Sequence, residues 1–167
     1  MFFRGEEADN WYQKGINIVN KELSEQILSD GGNFELSPMY HSIFLEDLLD
    51  LVNIHQAYSR HLSDNFEIKT VQMLEWLKVM CHPDGKIAFF NDSAHGVAPT
   101  SGELLSYAKR LNIVFKDNRL SNLTHLKESG YIRLDIKDLV LISDIAKIGP
   151  DYIPGHGNHD VGDILRS

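Results

Sequence analysis

The order of patterns along this 167-residue chain predicts an α+β fold, mainly helical at first and then forming an antiparallel sheet. Three observations carry this prediction. Apolar residues recur at helical spacing through the N-terminal part, stops rich in glycine or proline separate those segments, and short β-prone runs follow residue 129. With 43% hydrophobic residues and no long low-complexity tract, the chain can bury a core as one domain or parts of two.

A first helix is predicted from Glu6 to about Leu28, where Trp11, Gly15, Ile18, Val19, Glu22 and Leu23 keep a helical rhythm until Asp30-Gly31-Gly32 stops it. A second is predicted from Ser37 to about Tyr58. Ser37 is a good N-cap, Pro38 suits the first helical position, and the leucines and isoleucines between Ile43 and Leu51 supply an apolar face. A third is predicted from about Asn65 to Met80, with Ile68, Val71, Met73, Leu74 and Leu77 on one face and His82-Pro83-Asp84-Gly85 as its stop. Residues 86–90 are expected to be a short extended run. Thr100-Ser101-Gly102-Glu103 has capping-box spacing ahead of a short fourth helix ending near Leu111. Residues 112–127 are polar and are expected to be irregular. Residues 131–134 and 139–142 then read as a hairpin, which alone would leave an exposed edge. The boundary is expected between about Asn112 and Ser129, separating a helical part, residues 1–115, from a linker and the start of a sheet, residues 116–167.

Composition narrows the function. A formal charge of -8, with no Lys/Arg cluster or basic aromatic stripe, argues against a nucleic-acid groove. Cys81 is the single cysteine and cannot close an internal disulfide, so nothing demands an oxidising compartment; it reads as a small buried filler. Residues 1–7 lack the basic start and apolar stretch of a secretory signal, and no segment is long and apolar enough to span a bilayer. Localisation and oligomeric state stay open. Asn91-Asp92-Ser93 and Asn122-Leu123-Thr124 fit the glycosylation spacing, a pattern that arises often by chance.

The run Asp30-Gly31-Gly32-Asn33-Phe34-Glu35-Leu36-Ser37-Pro38-Met39-Tyr40-His41 places a phenol and an imidazole in the first turn of a helix, after a glycine-hinged reversal. That is a candidate acid/base site. The plain alternative for Tyr40 is a half-buried aromatic covering the start of its own helix, and His41 divides between cleft and core. Glu35 is expected to steady the turn beside Tyr40 and His41. Asn91, Asp92 and His95 form a polar loop with Gly96 and Pro99. His55, His61 and His125 have no partner pattern and are expected at the surface, and the spacing of Glu46, Asp47 and Asp50 does not call for a paired-carboxylate mechanism.

A second constellation, Gly155-His156-Gly157-Asn158-His159-Asp160, brings two imidazoles and a carboxylate into one loop. Imidazole and carboxylate are ordinary zinc ligands, yet three so close in a non-helical loop rarely close a tetrahedron without a distant fourth. A solvated polar loop is the alternative.

With Trp76-Leu77, Met80, His82-Pro83-Asp84-Gly85, Phe90-Asn91-Asp92-Ser93, Ala98-Pro99-Thr100, the run 129–134 and the run 148–156 following in this order, the sequence resembles the heparinase II/III-like family of polysaccharide lyases and related alginate lyases over nearly its whole length. Family members are several times longer, so the resemblance implies an internal fragment. It implies the C-terminal part of an incomplete α/α toroid followed by the first antiparallel strands of a β-sandwich domain. It also implies β-elimination on an acidic, uronic acid-containing polysaccharide, with Tyr40 exchanging protons with the sugar and His156 functional at the same site. By the same resemblance the loop with Asn91, Asp92 and His95 lines the substrate cleft, and His159 and Asp160 are candidate ligands of a structural zinc; Glu35 and His41, beside Tyr40, are the further substrate-binding candidates. The match is good only through His156, because Asn158 stands where the family has its second histidine and His159-Asp160 follow without the usual spacer. The family's carboxylate-neutralising asparagine or histidine belongs to a helix before the position of Met1. Full-length relatives are often periplasmic or secreted.

The chemistry needs a base close to a proton made acidic by an adjacent, neutralised carboxylate. A free phenol has a pKa near 10, so a base at neutral pH requires nearby donors or positive charge, which His41 and His156 are expected to supply. The cations Lys14, Arg60, Lys69, Lys78, Lys86, Lys109 and Arg110 are scattered rather than grouped for a polyanion. The alternatives are a catalytically inactive remnant or carbohydrate-contacting helical module, and a small metal-binding domain built on His156, His159 and Asp160.

Overall fold

A computed structural model of the chain describes residues 3–115 and 120–146, together with the backbone of residues 163–166. Four helices come first: α1 (Glu6–Gln26), α2 (Pro38–Ala57), α3 (Asp64–Val79) and α4 (Ser101–Arg110). Their starts follow local chemistry. Ser37 accepts a hydrogen bond from the Tyr40 amide at the head of α2, Ser63 does the same for Phe66 at α3, and Thr100 and Glu103 complete a reciprocal capping box on α4. Helix α1 stops two residues earlier than expected, where Ile27 turns extended and bridges to Asn33.

Helix α3 packs against α1, α2 and α4. One core lies among these helices and includes Leu45, Leu49, Phe66, Leu74, Leu77 and Leu104, all essentially without solvent exposure. His55 belongs to the interior and not to the surface, a correction to the sequence-based expectation. Its Nδ1 donates to the Leu51 carbonyl (2.8 Å) and its Nε2 accepts from the Tyr12 hydroxyl of α1 (3.1 Å), which satisfies both ring nitrogens.

The sheet is antiparallel in the order β1-β2-β3-β4, with β1 (Leu123–Leu126), β2 (Tyr131–Ile136), β3 (Leu139–Asp144) and β4 (Asp163–Arg166). The expected hairpin is β2–β3, closed by Lys137 and Asp138 so that Ile136 faces Leu139. It is not alone. Strand β1 forms inside the stretch expected to be irregular and pairs Leu126 with Tyr131, and β4 pairs along the other side of β3. Residues 86–90 form no full strand but a single bridge, Cys81 to Ile87, around the turn at Gly85.

A second core joins the sheet to α3. Trp76, Val79 and Met80 of that helix and its end pack with Ala88, Phe90, Leu126, Tyr131, Val140 and Ile142. Arg133 of β2 crosses the same boundary, donating to the carbonyls of Val79 and Cys81 while its guanidinium pairs with Asp135. Leu36, in the turn that precedes α2, packs against this same core, which brings that turn close to the sheet.

Candidate active site

The turn between α1 and α2 is fixed by its glycines. At Gly31, with φ +92°, an added Cβ would lie 2.3 Å from the Gln72 carbonyl oxygen of α3, and at Gly32 it would lie 2.8 Å from the Trp76 indole nitrogen. Only glycine lets this backbone approach α3 so closely. Asp30 then ties the turn to the sheet. One carboxylate oxygen accepts from the Gly32 amide, and the other accepts from the Glu128 amide (2.9 Å), the Ser129 amide (2.7 Å) and the Ser129 hydroxyl (2.9 Å). The Ser129 hydroxyl in turn accepts from the Trp76 indole N–H at 2.9 Å.

Tyr40 stands in the first turn of α2, half-buried, with its amide on Ser37. Its ring packs against the helical core. The neighbouring His41 is fully buried and stacked on Trp76, with ring centroids 4.3 Å apart. Its Nε2 donates to the Met73 carbonyl (3.0 Å) and its Nδ1 accepts from the Asn33 amide (3.3 Å). Desolvation lowers its pKa to about 3, outweighing the Met73 carbonyl and Asp30, which act the other way. His41 is therefore a neutral core residue. This corrects two expectations, because its nitrogens are not available to a substrate and it carries no positive charge to favour a phenolate at Tyr40.

The loop at residues 91–93 docks on the head of α2. The Ser93 hydroxyl accepts from the Met39 amide and lies 3.2 Å from the Ser37 hydroxyl, so two serines serve the same helix start. Asn91 is 5% exposed; its amide nitrogen donates to the Leu36 carbonyl (3.1 Å) and to the Tyr131 hydroxyl (3.2 Å). Asp92 is exposed, and Asn91 and Asp92 both adopt left-handed backbone conformations, with φ of 47° and 63°. Glu35 is half-buried and its amide donates to the Asn33 side chain. Glu35, Tyr40, Asn91 and Asp92 thus belong to two segments that meet at one helix start.

His95 lies elsewhere. It is exposed, edge-on to Phe89 at 4.2 Å, and lines an open cleft of about 600 Å³ with Lys86, Pro99, Thr100, Ser101 and Leu105. Lys86 at this cleft is paired with Asp84 at 3.2 Å. Neither Glu35 nor Tyr40 lines it. His156, His159 and Asp160 lie outside the described residues, and among the described residues no three His, Cys, Asp or Glu side chains gather as a metal-ligand set. No helix among the described residues is long and apolar enough to cross a membrane.

Sequence reasoning missed the residues that hold this site from a distance: Asp30, Trp76, Ser129 and Tyr131. The partners that matter here lie far away along the chain, so no local spacing pattern marks them. Asn33 was missed as well, although it works within its own turn, accepting from the Glu35 amide and donating to His41.

The family model described as Heparinase II/III N-terminus matches residues 2–120. Two curated relatives are similar to about half of the chain. A heparin-sulfate lyase of Bacteroides stercoris is 31% identical over 93 residues, 52% of this chain and 13% of the relative. A heparin-sulfate lyase of Pedobacter heparinus is 32% identical over 95 residues, 52% of this chain and 14% of the relative. Among solved structures, the heparan sulfate lyase HepC from Pedobacter heparinus superposes with a TM-score of 0.76 at 17% identity, covering 96% of this chain and 28% of the other. A heparinase III structure gives a TM-score of 0.66 at 20% identity, covering 83% of this chain and 26% of the other. The chain therefore spans less than a third of any of these proteins.

Proposed function

The chain belongs to the heparinase II/III family, and from that premise we propose that it is part of a polysaccharide lyase cleaving a uronic acid-containing polysaccharide by β-elimination. The observation that carries this proposal is the placement of Tyr40: half-buried in the first turn of a doubly capped helix, on the helical side of a turn locked to the sheet. A reacting group must be held to within a fraction of an ångström, and capping by Ser37 and Ser93 supports such rigidity.

In this mechanism the base removes the proton beside the sugar carboxylate, the electron pair forms the new carbon–carbon double bond, and the glycosidic oxygen leaves with a proton returned to it. Tyr40 exchanges these protons. Because His41 is neutral, the positive charge or donors that favour a phenolate come from another group, and His156 is our candidate. Glu35, Asn91 and Asp92 border the sugar at this helix start, with Asn91 acting mainly through the backbone that it holds. His95 contacts a more distant sugar through its own cleft. Zinc held by His159 and Asp160 is a structural addition to the proposal, and no step runs through it. The helical part, residues 1–115, is taken as toroid and residues 116–167 as linker and first strands of a β-sandwich. A periplasmic or secreted location goes with this function.

Heparin and heparan sulfate are the first substrates to test, since the curated relatives are named as lyases of that polymer. Purified chain, with Tyr40→Phe as control, is incubated with a panel of acidic polysaccharides and the absorbance of the unsaturated uronate product is followed. Product that disappears in the control supports the lyase. Its absence on every substrate favours an inert carbohydrate-contacting module, consistent with Gly31, Gly32 and Ser37 all having structural roles.

A further inference from the structure

We propose that Tyr131, a second and fully buried tyrosine, is a positioning residue for Tyr40, acting through the backbone of Leu36. This rests on Tyr40 being the reacting group. Leu36 immediately precedes the N-cap of α2 and has φ +58°, a left-handed conformation that a leucine rarely adopts. Something must hold it there. Its amide donates to the Asn33 carbonyl (2.9 Å), and its own carbonyl accepts two further hydrogen bonds, from the Tyr131 hydroxyl (2.5 Å) and the Asn91 side chain (3.1 Å). Asn91 also donates to the Tyr131 oxygen, closing a triangle around one carbonyl.

Tyr131 is well built for this task. It enters from the first residue of β2, is 0% exposed, and is wedged edge-on to Trp76 (5.9 Å) and tilted against Phe90 (5.1 Å). Burial raises its pKa, with Asp144 acting in the same direction, so the hydroxyl keeps its proton and remains a donor. Trp76, against which the ring packs, stacks in turn on His41, the residue after Tyr40. One residue of the sheet thus braces the backbone before Tyr40 and, through Trp76, the side chain after it. The sheet sets the geometry of a reacting group that belongs to the helical part.

Tyr131→Phe keeps the ring and removes only the hydroxyl. We expect amide hydrogen exchange to accelerate at least tenfold at Met39, Tyr40 and His41, whose amides point at Ser93, Ser37 and the Ser37 carbonyl, with Leu45–Val52 unchanged. In protein carrying ¹³C-labelled tyrosine, the Tyr40 ring signals shift or broaden while those of Tyr12, Tyr58 and Tyr107 stay in place. Asn91→Ala, which removes the other donor, is read in the same way and serves if Tyr131→Phe does not fold. Unchanged exchange and ring signals at Tyr40 would overturn the proposal, as would uniform acceleration along all of α2. Neither measurement requires turnover, so failure here is distinct from failure of the lyase assay.

Discussion

His41 shows how a catalytic-looking residue becomes a structural one. Its type and position beside Tyr40 suggest a site imidazole, but full burial, a stacked indole and two occupied nitrogens hold it neutral. A pH dependence follows. The folded pKa of about 3 lies below the unfolded value of about 6.5, so the unfolded chain takes up a proton that the folded chain refuses. The contribution is fully present above pH 6.5 and is lost as the pH falls towards 3. By pH 5 this amounts to roughly 2 kcal/mol. Urea denaturation at pH 7, 6 and 5 should show His41→Gln losing less stability over this range than the wild type. Asp84 and Glu103, whose pKa values are lowered by hydrogen bonds from Lys86 and Thr100 respectively, lose stability in acid equally in both proteins and cancel in the comparison. Equal slopes would show that His41 is not a buried neutral group.

At the scale of the element, the head of α2 is the best-determined feature of the site. Ser37 and Ser93 each satisfy an amide that the helix leaves without an internal partner, and their hydroxyls touch each other. Ser37→Ala and Ser93→Ala should each cost about 1 kcal/mol in chemical denaturation. Because the two share a contact, the double variant should cost measurably more or less than the sum; strict additivity would mean that the caps act independently. The helices were legible in the sequence because caps and glycine stops are local signals. Strand β1 was not, since of Leu123, Thr124, His125 and Leu126 only the last is buried, which leaves no alternation to read. Its existence depends on pairing with β2. His55 was misread for a similar reason, as its partner Tyr12 lies on another helix, 43 residues away.

Across the whole molecule, the helices and the sheet are joined by a shared core around Trp76 and by hydrogen bonds between residues up to 99 apart, those of Asp30 with Ser129. Far-UV circular dichroism and tryptophan fluorescence should therefore report one coincident urea transition, whereas two separated transitions would mean that the sheet and helices are independent units. These long-range ties also explain why the site was only partly legible. The motif around Tyr40 lies in one continuous run, but the residues that hold it are assembled by the fold from α3, the loop at residues 91–93 and the β1–β2 turn. The most direct test of the role of Tyr40 is to measure binding and turnover together, using heparan sulfate with wild type and Tyr40→Phe. If Tyr40 moves the proton, the variant should bind the polymer within about threefold of wild type while unsaturated product forms at least about a hundredfold more slowly. Product formation by Tyr40→Phe at the wild-type rate, or equal loss of binding and turnover, would contradict that role.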